Sequence, residues 1–136
     1  NVTSFEQYFL ITGNAERIGD HAINIGEYLH TIKKKNIVFS DGAKNEIAKM
    51  RDITKSAIDK VLEKGEDDAT WLSSIAAMEQ QIDDMTKSYR EHHLQRMREG
   101  RCSEEACVIY SELLTDFERI GDHVLNIAQA RVRMEQ

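Results

Sequence analysis

Apolar residues recur along this chain at steps of three and four, the spacing that places side chains on one face of an α-helix. The first such stripe is Phe5, Tyr8, Ile11, Ala15, Ile18, Ala22, Ile25, Leu29 and Ile32, which predicts a helix over 3–34. Asn36–Phe39 reads as a connector, and Ser40 followed by Asp41 as an N-cap. A second stripe, Ile47, Met50, Ile53, Thr54, Ala57, Ile58 and Val61, stops at Gly65. Asp67 or Asp68 caps a third, with Trp71, Ile75, Met78, Ile82, Met85 and Tyr89 on one face and Gly100 at its end. Ser103 caps a fourth, which carries Ile109, Leu113, Phe117, Ile120, Val124 and Ile127, with Glu104 and Glu105 suiting the helix dipole in its first turn. Short loops between long helices require antiparallel neighbours. The expected fold is all-α, an elongated antiparallel bundle of about four long helices forming a single domain over 1–136.

Composition narrows this picture. The chain of 136 residues has no proline and only seven glycines. It is 40% hydrophobic and 31% charged, which suits a globular core and excludes a disordered chain. A net charge of −6 argues against nucleic acid as a partner, because phosphate-backbone binding needs concentrated positive charge. The basic run Lys33–Lys35 falls at the end of the first helix and reads as a complement to its dipole, with a membrane-surface contact as the alternative. No apolar stretch approaches the roughly 20 residues that span a bilayer, and no signal peptide is visible. The absence of an initial methionine points to a segment of something longer. Cys102 and Cys107 form no CxxC, and as diverging side chains near a helix start they are expected to be reduced thiols in a cytosolic setting.

The chemistry lies in a repeat. Residues 16–25 read ERIGDHAINI and residues 118–127 read ERIGDHVLNI, with Tyr8 also matching Tyr110 at the same offset. Two copies suggest a duplicated half-domain rather than a solenoid. At about 100° per residue, Glu16 and Asp20 turn away from the core stripe of the first helix, and Glu118 and Asp122 do the same on the fourth. Each pair is i, i+4, so its carboxylates stand one above the other and repel. Arg17 and Arg119 offer local neutralisation, which on a single helix makes an ordinary solvated face. Doubled, with Gly19 and Gly121 in register, the pattern points instead to a hard-cation site built from oxygen ligands. Glu79 and Asp83 on the third helix repeat the ExxxD spacing and can add ligands. Asn24 and Asn126 can ligate or hold water, and His21 and His123 point about 100° from the neighbouring Asp, toward supporting or partner-facing roles. Glu27 and His30 form one ExxH, and a ferritin-like di-iron site would need a second.

The doubled ERIGDHxxNI resembles the PhoU family of phosphate-uptake regulators, whose members have two three-helix repeats with an acidic motif on the last helix of each. It is similar above all to the PhoU-like tail of bacterial sodium/phosphate cotransporters, in the stretches from His93 to Cys102 and from Glu118 to Ala128, and in Phe39–Ser40 followed by Glu46 and Met50. The resemblance assigns 1–35 to the last helix of a truncated first repeat and 36–136 to a complete second repeat. It implies metal ligands at Glu16, Asp20, Glu118 and Asp122, with Glu79 and Asp83 as the weaker acidic pair, for iron or zinc. Mg, Mn and Ca also suit the ligand set. It further implies a non-catalytic regulatory domain, cytoplasmic and at the inner face of the cell membrane, partnered by the membrane domain of a phosphate transporter or by phosphate-signalling proteins. Apolar surface left exposed on the first helix by the truncation is expected to drive homo-oligomerisation. A metal-free interaction bundle is the alternative, and a carboxylate-bridged metalloenzyme a third reading that lacks an evident nucleophile.

Overall fold

A computed structural model describes residues 2–63 and 65–136, and these form four helices: α1 Val2–Lys34, α2 Asp41–Leu62, α3 Asp68–Arg98 and α4 Glu104–Glu135. The three predicted caps are in place. Ser40 Oγ accepts from Ala43 N at 3.1 Å, Asp67 Oδ1 from Thr70 N at 2.9 Å and Ser103 Oγ from Ala106 N at 3.2 Å. Each satisfies an amide that a helix start leaves without an internal partner. At the other ends, Gly100 (φ 66°) and Asn36 (φ 52°) adopt the left-handed conformation. Arg101 N then reaches Arg96 O at 2.9 Å and Ile37 N reaches Ile32 O at 3.0 Å, closing both helices with the same wrapped turn. α2 ends at Leu62, three residues before the predicted Gly65.

α2, α3 and α4 pack on one another, whereas α1 meets only α4 among the described residues. Trp71, Tyr110, Met50, Ile75, Ile82, Leu113, Leu114 and Val124 are fully buried at the centre. The all-α bundle is therefore as expected, organised as a three-helix unit with a fourth helix laid along α4. No helix among the described residues is long and apolar enough to cross a membrane.

The predicted stripe of α1 needs correction. Phe5, Tyr8 and Leu29 are 64%, 55% and 50% exposed, and Ala15 and Ala22 are exposed too. The packed positions are Ile11, Ile18, Ile25 and Ile32, alternating with Gln7, Asn14, His21 and Tyr28 at strict three-four steps. With a single neighbour, α1 buries only a narrow coiled-coil-like seam, and half of that seam is polar.

The cysteines also differ from expectation. Cys102 and Cys107 form a disulfide, with Cα atoms 6.0 Å apart. Cys102 precedes the Ser103 cap and is not on the helix, so the loop folds it back over the opening turn of α4. Of the basic run, Lys33 and Lys34 occupy the last turn of α1 as read, whereas Lys35 lies beyond the helix and pairs with Glu105 at 2.9 Å.

Candidate metal centre

α3 and α4 run antiparallel and approach closely where Ile82 covers Gly121. A Cβ added at Gly121 would lie 3.0 Å from Ile82 Cδ1 and 3.4 Å from its Cγ2, so the glycine sets this spacing. On either side of the contact, each helix presents an i, i+4 acidic pair: Glu79 and Asp83 from α3, Glu118 and Asp122 from α4. One oxygen from each of Glu79, Asp83 and Asp122 lies within 4.8 Å of the other two. Glu118 stands beside them, close enough for the charges of Asp83 and Asp122 to act on it.

Crowding like charges raises the cost of ionising them all. Glu79 is pushed up to about 7, by burial first and then by the Asp83 and Asp122 carboxylates. Glu118 is raised by burial and by Asp83 and Asp122. Asp122 is raised by desolvation and by Asp83, while its hydrogen bond with Glu79 and the charges of His123 and Arg119 oppose this. The cluster therefore retains protons where ordinary carboxylates have lost theirs, and a cation among the oxygens would relieve the repulsion. The donor set is all oxygen, open on one side to water, and free of histidine or cysteine ligands. It suits hard cations such as Mg, Mn, Ca or ferric iron better than tetrahedral zinc.

The first copy of the repeat is placed differently. Glu16 and Asp20 are exposed on α1, and no acidic pair from another helix stands beside them among the described residues. A Cβ at Gly19 would meet nothing within 4 Å. The structure brings Glu79, Asp83, Glu118 and Asp122 together and leaves Glu16 and Asp20 apart.

The histidines and asparagines of the repeat join α1 to α4. His21 Nδ1 donates to Asp116 Oδ1 at 2.8 Å, and Asn24 Nδ2 approaches the same oxygen at 3.5 Å. Reciprocally, His123 Nδ1 (2.9 Å) and Asn126 Nδ2 (3.1 Å) donate to Asn14 Oδ1. Asn14 in turn donates to Leu10 O at 2.7 Å. The two imidazole rings stack, with centroids 5.6 Å apart. Burial and the charges of His21 and Arg17 lower the basicity of His123. Arg17 and Arg119 lie at the edges, each acting on His123 through its charge and Arg119 also on the carboxylates.

Three buried polar positions had no assigned role in the sequence pattern. Asn14 and Asp116 sit two residues before each ERIGDH and share the offset of the repeat, which was the available signal. Buried Glu46 is the third. It accepts from Arg96 (2.7 Å), the Tyr110 hydroxyl (2.5 Å) and His92 (2.5 Å), joining α2, α3 and α4.

Comparison with known proteins places the chain in a family. The PhoU domain family matches residues 47–130, a segment that contains all four clustered acids. The chain is also similar to the phosphate-specific transport system accessory protein PhoU homolog 1 of Thermotoga maritima, at 28% identity over 129 residues. That alignment covers 91% of this chain and 53% of the relative, so the chain spans about half the length of the curated protein it matches. No solved structure matches it.

Proposed function

The chain belongs to the PhoU domain family, and on that premise we propose that it is a regulatory, non-catalytic domain of phosphate transport whose α3–α4 carboxylate face holds a hard cation. The observation that carries the reading is the convergence of Glu79, Asp83 and Asp122, with Glu118 alongside, inside the family-matched segment. A bound cation would supply charge neutralisation at this face. Glu79, Asp83, Glu118 and Asp122 would hold it, and the Gly121–Ile82 contact fixes how closely they converge. The face is open to solvent, which suits presentation to a partner rather than water-excluded chemistry.

The likeness of His93 to Cys102 and of Glu118 to Ala128 to cotransporter tails supports a finer proposal. In it, this domain is attached on the cytoplasmic side to the membrane domain of a sodium/phosphate cotransporter and docks against it. Neutralising the acidic face lowers the repulsion that a like-charged partner meets. The apolar face of α1, with Phe5, Tyr8, Phe9 and Leu10 exposed, favours a second reading in which protein association needs no metal.

Docking to the membrane domain in detergent, with manganese present or chelated, separates the two. The metal reading expects binding that falls on chelation and in a Glu118→Ala, Asp122→Ala variant. Binding that survives both treatments unchanged leaves only the metal-free interaction.

A further inference from the structure

The chain has two cysteines, and they are bonded to each other at the α3–α4 loop, away from the carboxylate face. The turn they clasp also has backbone bonds of its own. Gly100 N bonds Met97 O at 3.0 Å, Arg101 N bonds Arg96 O at 2.9 Å, and Ser103 caps α4 through Ala106 N while Cys107 N takes the first helical bond to Ser103 O at 2.9 Å. The core beneath includes the buried Ala106, Ile109 and Tyr110. A ring closed by residues five apart also constrains the unfolded chain less than a long-loop disulfide does, so its contribution to folding is the smaller.

Access and chemistry favour exchange. Both cysteines are half-buried rather than enclosed. A surface groove beside Cys107 is lined by His93, Met97, Val108, Ser111 and Glu112, with Val108 and Met97 themselves exposed. Cys107 lies in the opening turn of α4. Cys102 lies with Phe39, His93, Arg96 and Tyr110 over the end of the buried Glu46 cluster. The His93 ring interacts with the Cys107 backbone and lies tilted against the Tyr110 ring, centroids 4.6 Å apart, so the clasp touches side chains that reach into the core.

We propose that Cys102–Cys107 is a reversible thiol–disulfide exchange site, opened by a dithiol reductant and closed by the corresponding disulfide, that loosens the α3–α4 loop while the bundle stays folded. One thiolate of the reductant attacks a sulfur of the pair, forming a mixed disulfide and releasing the other cysteine as a thiolate, which takes up a proton. The second thiol of the reductant then displaces the first cysteine. Two electrons and two protons pass to the pair, and the reductant leaves as its own disulfide.

The test equilibrates the full chain in mixtures of reduced and oxidised dithiothreitol, traps free thiols by alkylation and reads the intact mass. The expected result is one transition, identical from the reduced and oxidised sides, between no and two alkyl groups per chain. Helicity by far-UV circular dichroism stays constant across it, while amides 99–107 exchange hydrogen faster in the reduced form. A Cys102→Ser, Cys107→Ser variant is expected to fold with unchanged helicity and to show the faster loop exchange under all mixtures. Thiols that stay free in the most oxidising mixture, or a bond that yields only as helicity is lost, would overturn the proposal.

Discussion

His21 on α1 donates its Nδ1 proton to Asp116 on α4 across 2.8 Å, and the same bond recurs with the helices exchanged, from His123 to Asn14. Residues 14 and 116 occupy the same place in the two copies of the repeat, as do residues 21 and 123. The α1–α4 contact is thus self-complementary. Each copy of the motif supplies a donor histidine and an acceptor for the other, which accounts for the repetition of His and Asn independently of any ligand.

Asp116 is the more demanding half of that exchange. It is 5% exposed and its Oδ2 has no partner among the described residues. Asp116→Ala strands the His21 and Asn24 donors and is expected to cost about 1–3 kcal/mol in urea unfolding. Asp116→Asn recreates the residue found at position 14 and should cost less. Equal losses in the two variants would show that the acceptor oxygen is not what matters.

The two motif glycines should respond oppositely to alanine. Gly19 has open space at its Cβ position, so Gly19→Ala is expected to stabilise by about 0.5–1 kcal/mol through helix propensity. Gly121→Ala presses a methyl group onto Ile82 at 3.0 Å, and the gain is offset by overpacking. Thermal unfolding of the two variants should place Gly19→Ala above the parent and Gly121→Ala clearly below Gly19→Ala.

Glu46 ties stability to pH. Burial raises its carboxyl, but hydrogen bonds from Arg96, Tyr110 and His92 outweigh this and hold it below the usual carboxylate range. The folded state therefore binds the Glu46 proton more weakly than the unfolded chain does. Its contribution is complete above the unfolded value of 4.5 and is lost as pH falls from there through the folded value. Glu46→Ala leaves the largely buried Arg96 unpaired and is expected to cost about 3–5 kcal/mol near neutral pH. The gap between parent and variant in denaturant melts should narrow below pH 4.5. A gap that stays constant under acid would contradict the assignment.

Much of the fold could be read before any coordinates. α2, α3 and α4 each bury one mainly apolar face, and Ser40, Asp67 and Ser103 announce their starts. α1 misled because periodicity counts apolar residues, and its seam alternates Ile11, Ile18 and Ile25 with Gln7, Asn14 and His21. Tyr8 and Leu29 carry the expected spacing but face outward. Helical angles correctly took Glu118 and Asp122 off the core. Which acids converge depends on which helices are neighbours, and spacing within one helix does not contain that. Glu79 and Asp83 lie beside Asp122 because α3 packs on α4, whereas Glu16 and Asp20 have no such neighbour. The cysteines were misread for a related reason, since a loop residue folded over a helix start follows no helical angle.

Calorimetric titration of manganese into metal-stripped protein near neutral pH tests the carboxylate face most directly. The account predicts saturable binding at about one site, weakened by about tenfold or more in a Glu79→Ala, Asp122→Ala variant that keeps its helicity, and retained in Glu16→Ala, Asp20→Ala. No binding to the parent protein, or equal binding to the parent and the Glu79→Ala, Asp122→Ala variant, would contradict it.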